Sequence, residues 1–329
     1  MLKFKQPPKE YSDVFLEDTD KPLPEVLNPS TRYMFLGEIA KGGKSLIKSV
    51  KDLHLSRVVA YKTLRSEFVN DPVEQRRLLR EARVSAMLQH PNTVPTYELG
   101  RDRQGNYYFT MKVVHGYTLR EIMDYRERYD LTQLIEVIEQ IAQALAYAHV
   151  HGVAHRDIKP ENILVGPFGE VLLLDWGLAK VWNKDGSTVD LQDQKPGKDI
   201  SDGDKSMTGH GKLQGTLCYM SPEQIRRDPD ISFSTDIYSL GSVLFELLTG
   251  RTPFDAEKTY EILEAVENQQ PPKPSSVSKY PVPKILEQLC LKCLHKEPAG
   301  RPSSMKEVLH ILQQDWASDL AGTKKPHSQ

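Results

Sequence analysis

From Tyr33 onward the apolar residues come in short runs, Tyr33-Met34-Phe35-Leu36, Leu46 to Val50 and Val58-Val59-Ala60-Tyr61, separated by Gly37 and by Gly42-Gly43. Runs of that length broken by glycine predict strands in hairpin order. Asp71-Pro72-Val73-Glu74 then offers an N-cap carboxylate, a first-turn proline and a glutamate at the third helical position, a capping-box arrangement that predicts a helix to about Leu88. On that helix Leu78, Glu81, Ser85 and Leu88 share a face through spacings of three and four. Two more strand-like runs, Thr93 to Leu99 and Tyr107 to Val114, flank a turn at Gln104-Gly105-Asn106. The region is expected to be a small sheet with one helix.

Beyond Gly116 the pattern turns helical. Thr118-Leu119-Arg120-Glu121 forms a second capping box, and Leu134, Ile138, Ile141, Leu145 and Ala148 mark a long amphipathic helix stopped by His151-Gly152. Ile163-Leu164-Val165 and Val171-Leu172-Leu173-Leu174 flank a Gly166-Pro167-Phe168-Gly169 turn, which predicts two short strands carrying Asn162 and Asp175 to neighbouring positions. From Val181 to about Leu213 the chain is polar and aperiodic, and a loop of that length inside a domain is usually functional or mobile. Helix patterns return at Ser234 to Leu248, ended by Gly250, and around Ala256 to Glu267, Lys284 to Leu294 and Ser304 to Gln314. Residues 1–30, with Pro7, Pro8, Pro22, Pro24 and Pro29 among charges, read as an extended tail, and Ala321 to Gln329 as frayed.

Composition narrows the function classes. A chain of 329 residues, 39% apolar and 27% charged, has core enough for one large or two medium domains. Its 43 Lys and Arg against 45 Asp and Glu leave a net charge of −2, so wholesale nucleic-acid binding is not expected. Three cysteines make no disulfide framework and suit a reducing interior, with the cytoplasm as the simplest location. The first residues lack the apolar core of a signal peptide, and no run reaches the roughly 18 to 20 apolar residues that span a bilayer.

The chemistry gathers at His155-Arg156-Asp157-Ile158-Lys159-Pro160-Glu161-Asn162, a charged knot between a helix pattern and a strand pattern. Taken singly, each residue is ordinary for a polar turn. As an ordered set they offer a carboxylate to accept a hydroxyl proton, an ammonium two residues on to hold a phosphate and a carboxamide oxygen five residues on for a metal, the parts of phosphoryl transfer.

On these residues the chain resembles the eukaryotic-type protein kinase superfamily, and within it the Hanks-type serine/threonine kinases common in bacteria, over roughly Tyr33 to Asp315. The resemblance implies an α+β, two-lobed fold: a tail at 1–30, a β-rich N-lobe at 31–112 with one helix, a hinge at 113–116, a mainly helical C-lobe at 117–316 with an activation segment at 175–223, and a tail at 317–329. It further implies that Lys62 in Val59-Ala60-Tyr61-Lys62 holds the α and β phosphates of ATP, with Glu81 as its helix partner. Asp157 would be the catalytic base, Lys159 the residue that neutralises the phosphoryl group in flight, and Asn162 with Asp175 of Asp175-Trp176-Gly177 the ligands of Mg²⁺, or Mn²⁺ in its place. Ala40, Gly42, Ser45, Ile47, Ala60, Met111 as gatekeeper, Lys112 and Val114 would line the nucleotide. Glu223 of Ser221-Pro222-Glu223 would pair with Arg301, and Asp236 would brace the catalytic loop from below.

Departures from the family pattern set the alternatives. The three glycines of the phosphate loop fall on Ala40, Gly42 and Ser45, so the middle one alone is kept, with Lys41 and Lys44 either compensating by charge or serving as solvated turn residues. With Trp176 in place of Phe, this leaves a non-catalytic scaffold that binds nucleotide or partners as the alternative to an active protein serine/threonine kinase. A small-molecule kinase is disfavoured by Lys159 and by Thr216 through Glu223, which look like a peptide platform. Arg156 is either structural or receives an activation-loop phosphate, with Ser206 and Thr208 as the expected modified residues and Thr216 expected near the catalytic loop. Cys290 and Cys293 lack a second ligand pair and read as packed side chains on a helix.

Overall fold

The computed structural model describes residues 22–23, 31–183, 216–256, 258–314 and 316. Ser206, Thr208, nearly all of 1–30 and the stretch 317–329 lie outside the described residues. The chain divides into two compact units, one ending at Gly116 but also taking in Gly166–Glu170 and Asp175–Gly177, the other formed by Tyr117–Val165, Val171–Leu174 and the residues from Leu178 on.

The first unit is built from β1 (Tyr33–Lys41), β2 (Ser45–Asp52), β3 (Arg57–Leu64), α1 (Pro72–Met87), β4 (Thr96–Arg101) and β5 (Tyr107–Met111). The strands form one antiparallel sheet in the order β1-β2-β3-β5-β4. Leu64 and Phe109 from the sheet pack with Leu78 and Ala82 from α1. The capping box expected at Asp71 is only half formed. Asp71 accepts from the N–H groups of Val73 and Glu74, but its own N–H donates to the Phe68 carbonyl at 3.0 Å. The Glu74 carboxylate is thereby free for other partners, and it takes Lys44 and Arg77 instead.

Among the described residues, the second unit holds three short strand pairings and most of the helices. These are β6 (Tyr117–Thr118), α2 (Leu119–Met123), α3 (Leu131–Val150), β7 (Val153–Ala154), β8 (Ile163–Val165), β9 (Val171–Leu173), β10 (Lys180–Val181), α4 (Pro222–Ile225), α5 (Ser234–Thr249), α6 (Thr259–Asn268), α7 (Pro274–Val277), α8 (Lys284–Cys293) and α9 (Met305–Leu312). The box at Thr118 forms, yet it opens the five-residue α2 and not the long helix; α3 starts afresh at its own box of Asp130 and Gln133.

At the centre lies α5, buried at every position from Thr235 to Thr249 and closed by Gly250 at φ +79°. A buried helix with no polar face needs close neighbours. Gly241 admits one, because a Cβ there would come within 2.5 Å of the Cβ of Cys293 on α8. Cys290 and Cys293 are thus buried free thiols in a helix contact, and burial pushes the Cys293 pKa up to about 12.

Candidate active site

In the first unit, β3 and α1 present one buried ion pair. Lys62 Nζ donates to Glu81 Oε1 at 2.5 Å and to Oε2 at 2.7 Å, and both residues are 8% exposed. A strand supplies the lysine and a helix the carboxylate because Glu81 follows Leu78 by three positions, on the face that packs against the sheet. Asp175 adds a second carboxylate to the same surroundings. Burial opposes charge on Lys62, but Glu81 and Asp175 outweigh it and the lysine pKa is raised. At Glu81 burial is the larger influence; with the Asp175 charge it overcomes Lys62 and lifts the pKa to about 7. Two carboxylates thus act on one ammonium.

Asp175 sits at φ +61°, a left-handed conformation costly for a residue with a side chain, and its Oδ1 accepts the Gly177 N–H at 3.2 Å. Trp176 beside it is 1% exposed. The other expected nucleotide residues in this unit follow the sheet register. Ala40 lies opposite Ile47, Ile47 opposite Lys62, and Ala60 opposite Met111, while the Lys112 N–H donates to the Pro95 carbonyl at 3.0 Å. Val114 follows β5 in irregular backbone. In the turn between β1 and β2, the Gly42 N–H bonds the Ser45 carbonyl at 2.9 Å.

In the second unit the loop residues from Lys159 to Asn162 converge on Asp157. Lys159 Nζ donates to both carboxylate oxygens at 2.9 Å and lies 3.4 Å from Thr216 Oγ1. Asn162 Nδ2 donates to the Asp157 backbone carbonyl at 2.8 Å and to its Oδ2 at 2.9 Å. Both amide protons are committed there, so the oxygen end of Asn162 is the end left to a ligand. His155 Nδ1 accepts the Asp157 N–H at 3.2 Å, which fixes the proton on Nε2, and Nε2 donates to the Leu174 carbonyl at 2.9 Å.

The loop rests on Asp236, which is fully buried at the start of α5. Its carboxylate accepts the N–H groups of His155 at 2.9 Å and Arg156 at 2.8 Å, and His149 Nε2 at 2.8 Å. Burial alone would raise its pKa; His149, His155 and the Arg156 N–H reverse that and hold it low. Arg156 has φ +70°, and the backbone is held there from both sides, since its carbonyl accepts Gln224 Nε2 at 2.8 Å. Further along, Arg301 meets Glu223 at 2.6 and 2.8 Å, and its remaining donors reach the carbonyls of His295, Ser234 and Lys296.

Two arrangements are not legible in the sequence. Arg120 on α2 bonds Glu161 at 2.9 Å, Glu246 at 2.6 Å and the Tyr219 hydroxyl at 2.5 Å, and Tyr219 also donates to Glu246. These residues lie far apart in the chain; the one local hint is a glutamate inside the apolar run of α5. Lys44, expected to be either a phosphate ligand or a solvated turn lysine, instead forms a 2.8 Å ion pair with Glu74.

Asp175 in the first unit carries carboxylate oxygens and, separately, Asn162 in the second a carboxamide oxygen, each a hard donor of the kind divalent ions prefer. A sequence profile described as the protein kinase domain matches residues 33–317. The chain is 34% identical over 302 residues to the serine/threonine-protein kinase PknD of Protochlamydia amoebophila, covering 85% of this chain and 29% of that protein. It is 34% identical over 297 residues to the serine/threonine-protein kinase PrkC of Bacillus subtilis, covering 90% and 42%, and 33% identical over 296 residues to the probable serine/threonine-protein kinase PknB of Lactococcus lactis, covering 89% and 43%. It therefore spans less than half the length of each of these relatives.

Proposed function

The chain belongs to the protein kinase family, and from that premise we propose that it transfers the γ-phosphoryl group of ATP to serine and threonine hydroxyls of proteins, itself included. The observation that carries the reading is the Asp157 cluster, with Lys159 and Asn162 both bonded to one carboxylate. In this reading Asp157 orients the acceptor hydroxyl and takes its proton, and Lys159 balances charge on the phosphoryl group while its contact to Thr216 ties it to the peptide platform. Lys62, kept cationic by Glu81 and Asp175, holds the α and β phosphates. Ala60, Met111, Lys112 and Val114 border the adenine.

Asn162 and Asp175 would hold the metal, Mg²⁺ or Mn²⁺, which would supply positive charge to offset that of the phosphates. Glu223, Asp236 and Arg301 act structurally, and phosphate is expected on Ser206 or Thr208, with Arg156 receiving it. No helix among the described residues is long and apolar enough to cross a membrane, and the three buried free cysteines fit a reducing cytoplasm as the proposed location.

The test is incubation with labelled ATP, Mg²⁺ or Mn²⁺ and a generic protein substrate. Incorporation that falls about 10²- to 10⁴-fold in Asp157→Asn, with folding intact, supports the assignment. Nucleotide binding without any turnover in the wild type overturns it. Peptide mapping of the active protein tests the two loop sites.

A further inference from the structure

We infer that Lys44 is a positioning residue for the nucleotide, acting through Glu74 and not by touching phosphate. The inference rests on the proposed ATP chemistry but concerns residues that the chemistry leaves unused. Lys44 stands at the end of the turn between β1 and β2, the turn that keeps a single family glycine at Gly42. A turn lysine beside a phosphate site invites the reading of a phosphate ligand. In this protein its Nζ is 2.8 Å from Glu74 Oε1, and the Glu74 side chain is only 7% exposed. Arg77 meets the same oxygen at 2.8 Å. A carboxylate that deep needs cations beside it, and taking one away leaves charge uncompensated.

The pair joins the turn between β1 and β2 to α1. Glu74, Leu78 and Glu81 form one buried stripe on α1, and Glu74 stands about 10 Å from Glu81 along the axis. Glu81 binds Lys62 on β3, and Ile47, three residues after Lys44, lies opposite Lys62 in the sheet. One helix is thus held to the sheet by two Lys–Glu pairs, one at the phosphate-loop turn and one at the phosphate lysine. The backbone of the same turn is pinned independently: the Arg65 N–H donates to the Lys44 carbonyl, and its guanidinium to the Gly43 carbonyl, each at 2.9 Å. Where glycines at Ala40 and Ser45 would let the turn settle onto phosphate, Lys44 fixes its height from the helix side. The turn backbone around Gly42, whose own N–H bonds the Ser45 carbonyl, is then held in one position.

The test measures the Kd of ATP·Mg²⁺ by calorimetry and KM and kcat where turnover occurs, in Lys44→Met, Glu74→Gln, the double variant, Lys44→Arg and the charge swap Lys44→Glu/Glu74→Lys. Lys44→Met and Glu74→Gln are each expected to weaken Kd and KM about fivefold, with kcat changed less than about twofold and the double variant no worse than either single. Lys44→Arg and the charge swap should return Kd to within about twofold of wild type. A direct phosphate contact predicts otherwise: Glu74→Gln would release the lysine and tighten binding, and the charge swap would be the worst variant. Either result, additive single effects, or a Lys44→Met protein that melts normally and binds ATP like wild type overturns the inference. Because Kd is read without turnover, an inactive wild type would count against the proposed kinase activity while leaving this test decisive.

Discussion

In the first unit Lys62 meets Glu81 at 2.5 and 2.7 Å, and in the second Arg301 meets Glu223 at 2.6 and 2.8 Å, with all four residues buried. The distances are nearly equal, but the surroundings are not. Arg301 balances Glu223 one for one and spends its other donors on three carbonyls, so the site is closed. Around Lys62, burial first and the charge of a second carboxylate, Asp175, after it push Glu81 up to about 7. A closed pair is finished without a ligand. A carboxylate raised to about 7 can still gain or lose a proton near neutrality, which on the proposed function distinguishes a binding site from a pair that holds helices together.

Arg301→Met should break the contrast most visibly. It leaves Glu223 and three carbonyls without their donor, and denaturant unfolding should show a loss of about 3–5 kcal/mol. A loss below about 1 kcal/mol would mean that the pair is not the closed structural element described.

The second prediction concerns pH. The folded pKa of Glu81, about 7, lies above its unfolded value of 4.5, so the stability it contributes is present below pH 4.5 and disappears as pH rises through 7. Stability of the nucleotide-free protein should fall by up to about 3 kcal/mol over that window relative to Glu81→Gln. Asp175→Asn removes the like charge and should flatten part of the fall; an unchanged slope in that variant would refute the contribution of Asp175.

The second unit should slope the other way at higher pH. Burial, helped by the Arg301 charge, lowers the Lys296 pKa to about 8, although its Nζ bonds the carbonyls of Ala265 and Val266 near the end of α6. The unfolded state keeps that proton up to 10.5, so stability rises from about pH 8 to 10.5 and is lost again as pH falls through 8. Relative to Lys296→Met the rise should be about 2 kcal/mol, measured by thermal unfolding in matched buffers.

The smallest stability effect is the sharpest discriminator. Lys62→Met should cost less than about 1 kcal/mol at pH 7, because Glu81 can take up a proton in place of the lysine, yet activity and ATP affinity should collapse. A stability loss as large as that of Arg301→Met would erase the distinction between the two pairs.

Periodicity and punctuation determined the elements. The runs around Val59 and Phe109, the heptad-like spacing from Leu134 to Ala148 and the stop at Gly250 all depend on neighbours a few residues away, and β3, β5, α3 and α5 appear where those signals stand. The ordered loop from His155 to Asn162 was legible for the same reason: its offsets are local, and Lys159 and Asn162 reach Asp157 within five residues of chain. Apart from the pairs that the family resemblance implied, such as Glu223 with Arg301, partners far apart in the chain were decided only by tertiary structure. The half-formed box at Asp71 shows why, since Glu74 faced a local choice between its own helix N-terminus and a lysine thirty residues away, and burial against the sheet favoured the lysine. Likewise, Arg120 finds Glu246 across 126 residues. Such pairings follow from which polar groups are left together when the apolar faces close, and no spacing in the sequence records that.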